Sequence, residues 1–117
     1  MMDEEKINAL GDELYQALRT GSTVAPLTER EAGITIEDAY HISLRMVNLR
    51  VELDGETIIG KKIGVTSKPV QEMLNVFQPD FGFLTDTMVC EDGADIPIAG
   101  NLIQPKAEGE IAFRLKK

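Results

Sequence analysis

Apolar positions set the first half of the chain into two helices. From Asp3 to Arg19, Ile7, Leu10, Leu14 and Leu18 stand three and four residues apart, which places them on one helical face. Asp3, Glu4 and Glu5 suit the electropositive start of that helix, and Arg19 followed by Gly21 suits its exit. A Ser22-Thr23-Val24-Ala25-Pro26-Leu27 linker follows. Thr35 then offers an N-cap, with Asp38 three residues on as the second half of a capping box. Behind it Ala39, Ile42, Met46, Leu49 and Leu53 continue one stripe to an Asp54-Gly55 turn.

Past Gly55 the period changes. Thr57 to Val65 is β-branched and punctuated by glycine, which predicts a strand. Thr66 and Ser67 can cap a short helix carrying Val70, Met73 and Leu74. Gln78-Pro79-Asp80-Phe81-Gly82 reads as a loop by its proline and glycine. Short strands are predicted at Phe83-Leu84, Met88 to Cys90 and Asp95 to Ile98, with a turn at Glu91-Asp92-Gly93. The last segment, Lys106 to Leu115, alternates. Ala107, Gly109, Ile111, Phe113 and Leu115 make its apolar side, and Lys106, Glu108, Glu110 and Arg114 its polar one. A strand here would bury Ile111 and Phe113 and put Glu108 and Glu110 on the opposite face. Helices first and strands after give an α+β class. That strand lacks a following partner, so the pattern reads as the front of a larger domain or as a strand awaiting another chain.

Composition narrows the partners. At 117 residues the chain is one small domain, and twelve Lys and Arg against twenty Asp and Glu leave a net charge of −8. Nucleic acid and anionic membranes would repel it. Without Trp and with few aromatics, the core must come from Ile, Leu, Val, Met and Ala. The single cysteine, Cys90, rules out an internal disulfide, and its apolar neighbours Met88 and Val89 predict a buried, inert thiol. The acidic start resembles no signal peptide, and no apolar run approaches the length of a membrane span. A cytoplasmic location is the expectation.

Several motifs bear on chemistry. Gly55-Glu56-Thr57-Ile58-Ile59-Gly60-Lys61 follows a phosphate-binding loop for seven positions, but Lys62 stands where the pattern demands Ser or Thr for magnesium, and the interior reads as strand. His41 is the only histidine and no nucleophile elbow accompanies it, which disfavours serine and cysteine hydrolases. One Cys and one His also cannot make a thiolate–imidazole zinc site. Glu108 and Glu110, two apart on a strand, would project to one side roughly 6.5–7 Å apart. That spacing serves either a solvated, charge-balanced face or a hard cation such as magnesium or manganese. Lys61 and Lys62, between Gly60 and Gly64, must point to opposite sides of their strand. They are either edge guards or, for one of them, an anion-binding group. Asp80 is either a turn former or an acid–base group.

Five segments in register resemble a known family. They are Ala25-Pro26-Leu27-Thr28, Ile36-Glu37-Asp38-Ala39-Tyr40, Gly60-Lys61-Lys62-Ile63-Gly64-Val65-Thr66, Gln78-Pro79-Asp80-Phe81-Gly82 and Gln104-Pro105-Lys106-Ala107-Glu108-Gly109-Glu110-Ile111-Ala112. The chain resembles the amino-terminal part of the 2-oxopent-4-enoate hydratases of the fumarylacetoacetate hydrolase superfamily. The resemblance implies the front portion of that mixed β fold, with residues 1–78 as an α/β region and 79–117 as the start of a catalytic β-rich domain. It implies a hydro-lyase that adds water to 2-hydroxypenta-2,4-dienoate, giving 4-hydroxy-2-oxopentanoate in meta-cleavage breakdown of aromatic compounds. Lys62 and Asp80 take the catalytic positions, and Glu108 and Glu110 two of three carboxylates that hold Mg2+ or Mn2+. A third carboxylate and a later serine have no counterpart here, so the resemblance implies an inactive fragment. It further implies a small 2-hydroxy-dienoate or 2-oxo acid as substrate and a homo-oligomer. The rival readings are a 4-oxalocrotonate decarboxylase and a catalytically dead interaction module.

Overall fold

The computed structural model describes residues 1–116. Asp3 caps α1 (Glu4–Thr20), its carboxylate accepting from the Lys6 backbone N–H at 2.8 Å. The anticipated capping box opens α3 (Ile36–Asp54): the Thr35 hydroxyl accepts from the Asp38 N–H at 3.1 Å, and the Asp38 carboxylate accepts from the Thr35 N–H at 3.0 Å. Gly55 ends α3 at φ 69°, in the left-handed region that glycine enters without a Cβ clash. Between them the linker carries a single helical turn, α2 (Leu27–Arg30), where the sequence pattern had predicted none. Arg30 of that turn grips Glu13 of α1 through two hydrogen bonds of 2.7 and 2.8 Å, which fastens the linker to the helix pair.

Helices α1 and α3 enclose the core of Leu10, Tyr15, Ile42, Val47 and Leu49. Gly11 allows their close approach, since a Cβ there would lie 2.4 Å from Arg45 Cγ. Asp38 is also buried, because its carboxylate accepts from the backbone N–H groups of Met2 and Thr35 and from the Thr35 hydroxyl. Those bonds hold its pKa below the usual carboxylate range.

Strands β1 (Ile58–Gly64) and β2 (Asp80–Thr85) form an antiparallel pair, joined by α4 (Lys68–Leu74) under a Ser67 cap. Lys62 stands opposite Gly82 and Gly64 opposite Asp80, while Lys61 faces Phe83 and Ile63 faces Phe81. The sheet meets the helices through Tyr40 of α3, which stacks on Phe81 at a centroid distance of 4.7 Å. The class is α+β.

Three expectations fail in the carboxy-terminal third. Met88 to Cys90 and Asp95 to Ile98 are not strands; a 3-10 turn (Asp86–Met88) follows β2 and irregular chain follows that. Lys106 to Leu115 is not a strand either, and its apolar side chains Ile111, Phe113 and Leu115 are 84, 85 and 92% exposed. Cys90 is exposed, not buried. One cause serves for all three. An alternating segment becomes a strand only against a hydrogen-bonding neighbour and a surface to cover, and among the described residues the sheet has two strands only.

Candidate functional site

Side chains alternate along β1 and β2, so the register sorts them onto two faces. Lys62, Gly64, Asp80 and Gly82 share one, and Lys61, Ile63, Phe81 and Phe83 share the other. The two lysines therefore part as expected. Lys61 turns to the aromatic side, its Nζ 5.5 and 5.4 Å from the ring centroids of Phe81 and Phe83. Lys62 turns to the glycine side with Asp80.

The glycines shape that side. A Cβ at Gly82 would touch the stem of Lys62 at 3.7 Å, and a Cβ at Gly64 would lie 2.6 Å from Asp80 Oδ1. The Asp80 carboxylate thus rests over the bare Cα of Gly64, and Lys62 lies along Gly82. The Q-P-D-F-G segment, read as a loop, supplies the opening residues of β2 from Asp80 onward, which is what fixes the aspartate beside Gly64.

Glu108 joins the same side. Its Oε2 lies 3.9 Å from Lys62 Nζ, both side chains more than half exposed. Lys62, and not Lys106 or Arg114, is the cation that it meets. Glu110 lies on irregular exposed chain, so strand pairing does not align it with Glu108. The two carboxylates are hard oxygen donors and suit a divalent cation in kind. Among the described residues no cluster of three His, Cys, Asp or Glu side chains is placed to hold a metal, so the pair alone is a partial donor set.

Two other sequence candidates fall away. The phosphate-loop match ends inside β1, where Gly60 and Lys61 are paired strand residues and form no cradle. His41 lies on an exposed side of α3, 3.8 Å from Glu37 one turn earlier.

The sequence reading missed the joint between the helices and the sheet. Glu56, between α3 and β1, has a side chain only 3% exposed. It receives Arg50 Nη2 at 2.9 Å, Arg19 Nη2 at 2.7 Å, the Thr87 hydroxyl at 2.7 Å and the hydroxyl of fully buried Thr85. Arg19 also bonds Asp54, whose carboxylate accepts from the Tyr15 hydroxyl at 2.8 Å. Burial opposes the charge on Glu56, but the bonds from Arg50, Thr85, Thr87 and Arg19 outweigh it and lower its pKa to about 2. One carboxylate thereby ties α1, α3, the start of β1 and the end of β2. No local pattern marks it; a charged residue after a helix-ending glycine ordinarily faces water.

No protein-family model matches the chain. A 2-hydroxyhexa-2,4-dienoate hydratase of Comamonas testosteroni is 64% identical over 118 residues, covering 100% of this chain and 44% of the relative. A 2-hydroxypent-2,4-dienoate hydratase of Pseudomonas putida is also 64% identical, over 99% of this chain and 52% of the relative. The chain is related to these hydratases throughout its length. It spans about half the length of the curated relatives it matches. Among solved structures, a 4-oxalocrotonate decarboxylase of Pseudomonas putida G7, complexed with magnesium and adipate, aligns with TM-score 0.69 and 28% identity over 74% of this chain and 33% of its own. The helices and two-stranded sheet accordingly match part of a fumarylacetoacetate-hydrolase-type fold. Among the described residues no helix is long and apolar enough to cross a membrane.

Proposed function

We propose that this chain forms the amino-terminal portion of a metal-dependent hydro-lyase that converts 2-hydroxypenta-2,4-dienoate to 4-hydroxy-2-oxopentanoate in the meta-cleavage breakdown of aromatic compounds. The observation that carries the reading is the shared face of Lys62, Gly64, Asp80 and Gly82 with Glu108 brought to it. A cation, an acid–base group and a carboxylate ligand meet there over glycines that leave the backbone open to a small, flat anion.

The conversion needs two proton relocations and one water. The enol proton leaves O2 and a proton is added at C5, giving 2-oxopent-3-enoate. Water oxygen then bonds to C4 while a proton reaches C3. Lys62 would bind the substrate carboxylate and offset the negative charge that develops at O2 in both steps. Asp80 would take the proton from the attacking water and return it at C3. A divalent cation, magnesium or manganese, held by Glu108 and Glu110 would supply Lewis acidity toward the substrate carboxylate and O2. Residues 79–117 would open the catalytic β-rich domain and residues 1–78 the α/β region before it, in a homo-oligomer. The chain by itself is expected to be inactive, since two carboxylates leave most of the coordination shell to water.

The decarboxylase similarity offers a second reading, because decarboxylation of a 2-oxo acid also builds charge at O2. The hydratase reading is preferred on 64% against 28% identity. The test is turnover by this chain joined to the carboxy-terminal half of the Pseudomonas putida relative. With magnesium present, the ultraviolet band of the dienol should decay and 4-hydroxy-2-oxopentanoate should accumulate. Decay with release of carbon dioxide from 4-oxalocrotonate, and none with the dienol, would reject the hydratase in favour of the decarboxylase.

A further inference from the structure

Beyond Gly64 the chain does something a valine resists. Val65 has φ 54°, in the left-handed region, where a β-branched side chain crowds its own backbone. Among the described residues the other non-glycine positions with positive φ are Asn75, which ends α4 and tolerates that conformation, and Gln104. A strained valine persists only where its surroundings hold it. The holding contact is on α4: Gln71 Nε2 donates to the Val65 carbonyl at 3.0 Å, and both residues are half-buried.

That turn ends β1. Gly64 is the last residue of the strand, pairs with Asp80 and lies directly beneath its carboxylate. Were Val65 to relax to an extended conformation, β1 would run on past Gly64 and the carbonyl would swing away from Gln71. The seat of Asp80 would change with it, because the strand end and the aspartate are one paired position. Among the described residues the Asp80 carboxylate makes no hydrogen bond or ion pair, so the backbone register does the positioning.

We propose that Gln71 is a positioning residue: by holding the Val65 carbonyl it keeps the left-handed turn that seats Gly64 against the Asp80 carboxylate. The functional meaning rests on the reading of Asp80 as the proton-handling group; the structural dependence does not.

Nuclear magnetic resonance on the chain tests it with Gln71→Leu, Val65→Gly and the double variant. The readouts are the backbone shifts and intraresidue contacts that give the sign of φ at Val65, and the cross-strand contact between Gly64 and Asp80. Loss of one such hydrogen bond shifts a two-state population by about fivefold. Gln71→Leu should therefore move the Val65, Gly64 and Asp80 signals and weaken the Gly64–Asp80 contact, while Ile42 and Leu10 in the helix core stay in place. In the Val65→Gly background, where glycine adopts the turn without strain, the same substitution should leave Gly64 and Asp80 unmoved. Signals unchanged by Gln71→Leu, or displaced equally in both backgrounds, would overturn the proposal. If Gln71→Leu unfolds the chain, Gln71→Asn, one methylene short of the carbonyl, is read by the same criteria. None of these readouts uses turnover, so the result stands or falls separately from the hydratase reading.

Discussion

Replacing Glu56 by Gln should cost the fold about 2–4 kcal/mol, because it removes the buried anion that a largely enclosed arginine, Arg50, pairs with, while conserving shape. Two routes give that magnitude. A carboxylate whose pKa is held at about 2 against an ordinary 4.5 is favoured in the folded state by about 3 kcal/mol at neutral pH. Arg19, at 37% side-chain exposure, shares its part of the network with water, and screening there lowers the sum to about 2 kcal/mol. Against that, Arg50 is only 11% exposed and would be left without its carboxylate, which pushes the cost toward the upper end. The assay is urea unfolding followed by far-ultraviolet circular dichroism, with the slope of free energy on urea checked for constancy. The pH dependence carries the sign. A depressed pKa stabilises the fold above the ordinary carboxylate range, and that contribution drains away as the pH falls through the folded value. The gap between wild type and variant should thus be full at pH 7 and fall to about half or less by pH 3. A gap below about 1 kcal/mol at pH 7, or one that does not shrink in acid, would refute the assignment of Glu56 as the ionised joint.

Two further outcomes follow from the site. Gly64→Ala should leave stability within about 1 kcal/mol, since the new Cβ meets only the movable carboxylate of Asp80, yet it should cut turnover in the joined hydratase by up to about a hundredfold by displacing that carboxylate; equal turnover would mean that Asp80 does not act from this seat. Magnesium should bind the chain weakly, with calorimetric titration failing to saturate at stoichiometric concentrations, because two carboxylates, Glu108 and Glu110, would fill few of the coordination positions and no cluster of three such side chains stands among the described residues; tight binding by the chain would contradict a two-carboxylate site.

The helices were legible because their information is local. The acidic start at Asp3, the caps at Thr35 and Ser67 and the stripes through Leu10 and Ile42 need only neighbouring residues to act. The separation of Lys61 from Lys62 was legible for the same reason, since alternation is a property of any strand. Where interpretation depended on a partner, it failed. Lys106 to Leu115 has the alternation of a strand but no described neighbour to pair with, and Cys90 has no layer above it. Glu56 was invisible for the opposite reason: its partners Arg19, Arg50 and Thr85 come from three separate elements, and only the assembled fold turns a charged turn residue into a buried, multiply bonded joint. The pairing of Lys62 with Glu108 likewise spans 46 positions of chain, beyond the reach of any local pattern.

The claim that one face of β1 and β2 carries the chemistry is tested most directly by the two lysines. In the hydratase completed with the Pseudomonas putida half, the kinetic constants of Lys62→Ala and Lys61→Ala are compared for the dienol, with circular dichroism to confirm folding. Loss of a donor aimed at developing negative charge costs about 3–4 kcal/mol, so Lys62→Ala should lower kcat by a few hundredfold. Lys61, on the aromatic face, contributes on the order of 0–1 kcal/mol as an exposed charge, so its removal should change kcat by less than about fivefold. Equal losses, or a larger loss at Lys61, would contradict the assignment and leave the pair as guards of a strand edge.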